Sequence, residues 1–285
     1  MIPAAFGYTR AASLADALNA VGAADTKVIC GGQTLIPLLR FRLSRPGQLI
    51  DIGQLSELRG VSVTAGVARI GAATTYRELL ASEALCDAVP LLAEVTENIG
   101  DIQVRNLGTI GGALAHADPS ADMPAAMLAL DAVIHLQSAR SRRAVPARRF
   151  FTGAFETAMQ PDELLVAIEI PALPAFTGAA YQTFEQPASG YALVGAAAVV
   201  TRTPGRGIVA ASLAFTGLAD AAFLAAGTDT LVGTAGDPQT VQRVADDSVR
   251  GVEANADIHA SAEYRLHLAS VAARRALLAA IDRAR

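Results

Sequence analysis

Apolar positions recur along the chain in patterns that change with position. Leu14, Leu18 and Val21 fall at helical spacing within residues 12–21, with Ser13 placed to cap the start and Gly22 to stop the end. Residues 27–30 form a short strand that runs into Gly31-Gly32. Residues 35–43 predict a helix, and residues 48–52 a second strand. Strand, glycine loop, helix and strand in this order predict a small βαβ-type unit. Residues 61–71 alternate about Ala65-Gly66, as a hairpin does. Thr75 and Glu78 have capping-box spacing at the start of another helix. Further helices are predicted over 89–97 and 124–130, and strands over 132–137 and 163–170. Residues 139–149 read as basic and exposed, and Pro171, Pro174 and Gly178 mark a linker. Beyond it the pattern becomes that of a small antiparallel sheet, with strands at 179–184, 193–201 and 208–216. Helices are predicted at 221–226 and 238–249. A long helix over 262–284 aligns Leu266, Ala269, Ala273, Leu277 and Ile281 on one face.

Composition narrows the function. Of 285 residues 52% are hydrophobic and 18% charged, enough for a large core. The net charge of −4 argues against nucleic acid as a partner. No apolar run is long enough to span a bilayer, and the N-terminus lacks the basic start and apolar core of a signal peptide, so a cytoplasmic location is expected. Two cysteines, Cys30 and Cys86, are too few for an iron–sulfur cluster and, with four scattered histidines, make a poor zinc set; no metal site is expected. Redox chemistry would then require an organic cofactor.

Residues 109–122, Thr-Ile-Gly-Gly-Ala-Leu-Ala-His-Ala-Asp-Pro-Ser-Ala-Asp, carry the strongest chemical signal. The adjacent glycines and Pro119 make the run a poor helix or strand interior, but glycine lets backbone N–H groups approach an anion. Cys30-Gly-Gly-Gln-Thr34 is a second such element. Each Gly-Gly alone reads as a turn; together, with Thr34 and Thr109 offering hydroxyls, they suggest a diphosphate. Rossmann and P-loop signatures are absent, so a dinucleotide would be bound by another fold. No nucleophile elbow is present, and no residue is assigned as catalytic.

Residues 30–39, Cys-Gly-Gly-Gln-Thr-Leu-Ile-Pro-Leu-Leu, and 99–122 resemble two motifs of the FAD-binding medium subunits of molybdenum hydroxylases, the xanthine dehydrogenase and carbon monoxide dehydrogenase family. Residues 49–52, 70–76, 129–132 and 263–265 fit the same pattern, so the resemblance covers essentially the whole chain. It implies an α+β fold. A vanillyl-alcohol-oxidase-type FAD domain over 1–175 would have subdomains near 1–57 and 58–175. A C-terminal domain over 176–285 would carry a small antiparallel sheet and helices. It also implies FAD contacts at Cys30, Gly31, Gly32, Gln33 and Thr34, lined by Ile29, Leu35 and Ile36, and at Thr109, Ile110, Gly111, Gly112 and Ala113. Asp122, Leu165 and Tyr191 complete the set, Tyr191 as a shield over one face of the flavin or an ordinary core aromatic. A β-branched side chain at Gly32 or Gly111 is expected to occupy the diphosphate's approach.

The implied role is electron transfer. A small partner subunit would carry two 2Fe–2S clusters, a large partner the molybdopterin, and the assembly would be a dimer of heterotrimers. Cys30 and Thr34 stand where Ala and Ser are usual in the family, and Thr keeps the hydroxyl. Glu185 stands where xanthine dehydrogenases often have lysine, which leaves its role open. Two other readings use the same fold: a stand-alone flavin oxidoreductase, which would turn over substrate without partners, and a scaffold that has lost FAD, which would be colourless. His116 reads as a loop residue bonded to its neighbours, and Asp101, Gln103 and Arg105 as groups ordering the loop before Thr109.

Overall fold

β1 (Gly7–Arg10), β2 (Thr26–Ile29) and β3 (Gln48–Asp51) form a parallel sheet in the order β1-β3-β2, connected through α1 (Leu14–Ala20) and α2 (Leu35–Arg40). Ser13 Oγ accepts the Asp16 N–H at 3.1 Å, the cap its position predicts. β1 has no sequence signal because all four of its residues are exposed and none contributes an apolar period. The computed structural model describes residues 2–285.

A five-stranded antiparallel sheet follows, in the order β4-β5-β10-β6-β7. Its strands are β4 (Val61–Thr64), β5 (Val67–Gly71), β6 (Val133–Gln137), β7 (Arg142–Pro146) and β10 (Leu164–Pro171), with a ribbon of β8 (Phe151–Gly153) and β9 (Glu156–Thr157) before the last. Five helices run in succession between β5 and β6: α3 (Tyr76–Leu80), α4 (Glu83–Ala88), α5 (Pro90–Asn98), α6 (Ile102–Leu107) and α7 (Ile110–His116), with α8 (Asp122–Ala129) a sixth. Thr75 and Glu78 form the predicted capping box, Glu78 N–H to Thr75 Oγ1 at 3.2 Å and Thr75 N–H to Glu78 Oε2 at 2.7 Å.

Two expectations for this region are refined. The 139–149 segment is basic and mostly exposed, with Arg140, Arg142, Arg148 and Arg149 in solvent, but it also contains a strand, Arg142–Pro146, that buries Val145 and pairs Arg143 with Glu163 at 2.6 and 2.7 Å. The arginines mask the alternation that buries Val145. The glycine-bearing segment is more helical than its composition suggests. Asp101 Oδ1 caps α6 through Val104 N–H at 2.8 Å, and Thr109 caps α7, so Gly111 and Gly112 occupy its first turn.

The third sheet has the order β11-β12-β13-β14, with β11 (Thr177–Glu185), β12 (Ala192–Arg202), β13 (Ile208–Thr216) and β14 (Phe223–Leu224). Residues 221–226 were expected to be helical; instead they hold the edge strand β14, where Phe223 packs on Phe215. A six-residue apolar run is too short to hold a helix without tertiary support. β12 is covered on both faces, which explains its unbroken run of Ala, Gly and Val. Ala197, with Tyr181 and Ala214, joins the core around α5, α7 and α8, while Ala196, Ala198 and Val200 face α9 (Pro238–Ser248) and α10 (Ala262–Arg283). On α10, Ala269, Ala273, Leu277 and Ile281 are buried as predicted, Leu266 is partly buried, and Ala272, Ala276 and Ala280 widen the stripe. Glu94 of α5 ties the two regions together, accepting from Tyr181 N–H at 3.2 Å and from Arg283 at 2.6 Å.

Candidate functional site

The first loop leaves the end of β2 and turns at Gly32, whose φ of +72° suits glycine. Beyond this turn the N–H groups of Gly32, Gln33 and Thr34 find no acceptor among the described residues. Thr34 makes no side-chain cap bond to α2, so its hydroxyl is also uncommitted. Ile29, Leu35 and Ile36 surround the turn: Ile36 Cδ1 lies 2.7 Å, and Ile29 Cδ1 3.4 Å, from where a Gly32 Cβ would stand. Three successive N–H groups on partly buried backbone either meet water or bind an anion.

The second loop is built differently. Ile110 N–H donates to Thr74 O at 3.1 Å and Gly111 N–H to Ala72 O at 2.9 Å, so these amides serve the fold. A Cβ on Gly111 would lie 2.6 Å from both Ala72 Cβ and Ala72 O. Gly111 is therefore there to let α7 press on the chain after β5, and the expectation that its absent side chain clears a diphosphate path is corrected. Gly112 is the less crowded of the pair. A Cβ there would meet only Thr109 Oγ1, at 2.8 Å, and otherwise open space, while its N–H reaches Thr109 Oγ1 only at 3.3 Å. Ala113 N–H closes the first turn onto Thr109 O at 3.1 Å.

The two loops touch. A Cβ on Gly31 would run into the Leu107 carbonyl, and Cys30 and Thr109 line the same cavity. Burial pushes the Cys30 thiol's pKa up, so Cys30 is a neutral filler at the joint. The cavity, of about 500 Å³, opens beside the contact and is lined by Cys30, Gly31, Arg59, Arg77, Asn106 and Thr109 among others.

Asp122 starts α8 and is 8% exposed. The Tyr181 hydroxyl donates to its Oδ1. Burial pushes the Asp122 carboxyl up to about 7; the Tyr181 bond pulls the other way, and the Glu185 charge adds to the rise. Tyr191 is 46% exposed, and its phenol is pushed up by burial and by Asp118 and Asp122, so it stands over the same corner. It is thus no ordinary core aromatic. Leu165 is buried on β10, a strand that packs against α7, beneath the second loop. His116 packs on Phe155 with ring centroids 5.0 Å apart, and burial lowers its pKa, which leaves it a neutral packing residue. Asp101 caps α6, and Arg105 donates to the carbonyls of Glu97, Ile99 and Gly100, so both order the loop before Thr109.

Sequence reasoning missed Tyr181, Thr216 and Gly195. Tyr181 sits in an apolar strand with no motif around it, and Thr216 closes an alternating one. Thr216 Oγ1 donates to Pro119 O at 2.9 Å and Ala121 O at 2.7 Å, holding the turn that presents Asp122.

The FAD binding domain in molybdopterin dehydrogenase matches residues 4–173, and the CO dehydrogenase flavoprotein C-terminal domain matches residues 179–280. The chain belongs to the family of FAD-binding medium subunits of molybdenum hydroxylases. It is 36% identical to the carbon monoxide dehydrogenase medium chain of Hydrogenophaga pseudoflava over 98% of both chains. It is 35% identical to the 6-hydroxypseudooxynicotine dehydrogenase complex subunit alpha of Paenarthrobacter nicotinovorans, over 100% of this chain and 97% of that one. Among solved structures, carbon monoxide dehydrogenase from H. pseudoflava superposes with a TM-score of 0.96 over 99% of each chain at 36% identity. Quinoline 2-oxidoreductase from Pseudomonas putida 86 gives 0.93 over 99% of each chain, also at 36%. The fold is accordingly that of the carbon monoxide dehydrogenase medium chain, and the cofactor is FAD. Among the described residues, no helix is long and apolar enough to cross a membrane, and no group of His, Cys, Asp and Glu is placed to hold a metal ion.

Proposed function

We propose that this chain is the electron-transfer subunit of a heterotrimeric molybdenum hydroxylase and holds FAD where its two glycine loops meet. The observation that carries the reading is the run of uncommitted Gly32, Gln33 and Thr34 N–H groups, on a loop whose Gly31 presses on Leu107 and Gly108, just before Thr109. A run of anion-accepting backbone amides fits a diphosphate. Ile29, Cys30, Gly31, Leu35 and Ile36 shape the first side of the cradle, and Thr109 to Ala113 the second. Asp122 accepts a hydrogen bond from a ribose hydroxyl or a ring N–H. Leu165 would support the flavin and Tyr191 would shield it. When bound, FAD supplies the exchange between one-electron carriers and an external acceptor.

The chain's own residues hold, orient and shield. Relatives that match over essentially the whole chain are themselves named as a medium chain or a complex subunit, which favours a division of labour over a stand-alone oxidoreductase. The partners in this reading are a small subunit with two 2Fe–2S clusters and a large molybdopterin subunit, assembled as a dimer of heterotrimers. Affinity purification after co-expression with candidate partner subunits tests it. A yellow complex with iron–sulfur absorbance, in which substrate reduces the flavin, supports the reading. Substrate turnover by this chain alone, or a colourless chain that takes up no added FAD, overturns it.

A further inference from the structure

We propose that Tyr181 is a positioning residue for the cofactor, acting through the hydrogen bond from its hydroxyl to Asp122 Oδ1 to aim the carboxylate at FAD; this rests on the reading of Asp122 as an FAD ligand. Asp122 belongs to α8 and Tyr181 to β11, 59 residues apart, so the bond joins the C-terminal sheet to the cofactor corner.

The surroundings are shaped for this bond. Tyr181 is 2% exposed, and its ring is held in the core shared by the two regions. Its hydroxyl crosses β12 at Gly195, where an added Cβ would strike Tyr181 Oη and come within 2.9 Å of Thr216 Cγ2. Gly195 thus provides the space in which the hydroxyl lies. Thr216, next along the same sheet, grips the 119–121 turn. The ionisable groups facing Asp122 are Tyr181 and Glu185 of β11, Tyr191 after β11 and Tyr76 of α3. None brings a positive charge. Tyr181 is the one side-chain donor to the carboxylate among the described residues.

Loss of that donor removes the interaction favouring the charged form. The buried carboxyl then keeps its proton to higher pH and presents a donor where the cofactor needs an acceptor. Tyr181→Phe keeps the ring and deletes the oxygen. Gly195→Ala keeps Tyr181 and displaces its hydroxyl.

The test is rebinding of FAD to the deflavinated complex, followed by quenching of flavin fluorescence between pH 6 and 9.5, with thermal unfolding of the deflavinated form as the fold control. Tyr181→Phe is expected to weaken FAD binding at pH 7 by about ten- to a hundredfold, the range for a hydrogen bond to a charged group. The deficit should shrink as the pH rises. Gly195→Ala should reproduce the pattern, and Tyr181→Phe should add nothing to Asp122→Asn. If Asp122→Asn weakens binding while Tyr181→Phe and Gly195→Ala do not, the role of Tyr181 is overturned and the Asp122 reading survives. If Asp122→Asn itself binds FAD normally, both fall. A Tyr181→Phe loss that is independent of pH and additive with Asp122→Asn marks a merely structural residue and also overturns the proposal.

Discussion

The two Gly-Gly pairs look alike in sequence and work differently. At Gly31-Gly32 the turn leaves successive amides uncommitted, so in the proposed reading the backbone itself is the recognition surface. At Gly111-Gly112 the first glycine is a packing device, its N–H bonded to Ala72 O and its missing side chain replaced by Ala72. Only the second faces open space. A glycine motif therefore cannot be assigned to a ligand as a unit: each position has to be asked what its absent Cβ would touch.

The sharpest way to break this comparison is to fill the second pair one residue at a time. Gly111→Val should cost roughly 3 kcal/mol or more, since the clash is with fixed backbone, and should appear as lost soluble protein or a Tm lower by several degrees. Gly112→Val should instead lower the Tm of the FAD-free chain by only a few degrees, since the one group its Cβ crowds is the Thr109 hydroxyl, a cap worth about 1 kcal/mol. It should abolish flavin retention through gel filtration. Equal effects of the two substitutions on folding would erase the distinction. Gly32→Ala is intermediate: an L residue at positive φ costs about 1 kcal/mol, and the bent amides lose register, so weaker FAD binding and a modest fall in Tm should come together.

A pH titration sharpens the picture at Asp122. Its folded pKa, about 7, lies above the ordinary value of 3.8. The folded FAD-free chain therefore holds a proton that the unfolded chain has released between these values, and its stability should fall as pH rises from about 4 through 7. FAD binding should change in the opposite direction, strengthening through pH 7 as the acceptor ionises. Asp122→Asn should flatten both trends in thermal-shift and fluorescence titrations. The smallest effect is expected at the two family departures: Cys30→Ala and Thr34→Ser should each change FAD affinity by no more than about threefold, because each keeps a small group and Ser keeps the hydroxyl.

Much of this was legible in the chain. The βαβ start, the hairpin, the Thr75 capping box and the long helix each announce themselves through periodicity or a cap. The loops were legible through resemblance, since residues 99–122 form a long motif. Besides the exposed β1, three things were not. β7 is hidden by two adjacent arginines, of which Arg142 stays in solvent and Arg143 pairs with Glu163 only in the fold. β14 is a strand because β13 offers it an edge, which local sequence does not contain. Tyr181 and Asp122 are brought together by tertiary packing alone, and nothing in residues 177–185 marks a tyrosine with a carboxylate waiting for it.

β12 has a consequence in time. It is hydrogen-bonded to β11 and β13 along nearly its whole length and covered on both faces. Amides in such a strand open only with the whole unit, so they should be among the slowest to exchange with deuterium. The first loop, with amides that no partner protects, should exchange within seconds. β12, the strand whose Gly195 makes room for the Tyr181 hydroxyl, is then effectively permanent on a timescale over which the first loop opens many times.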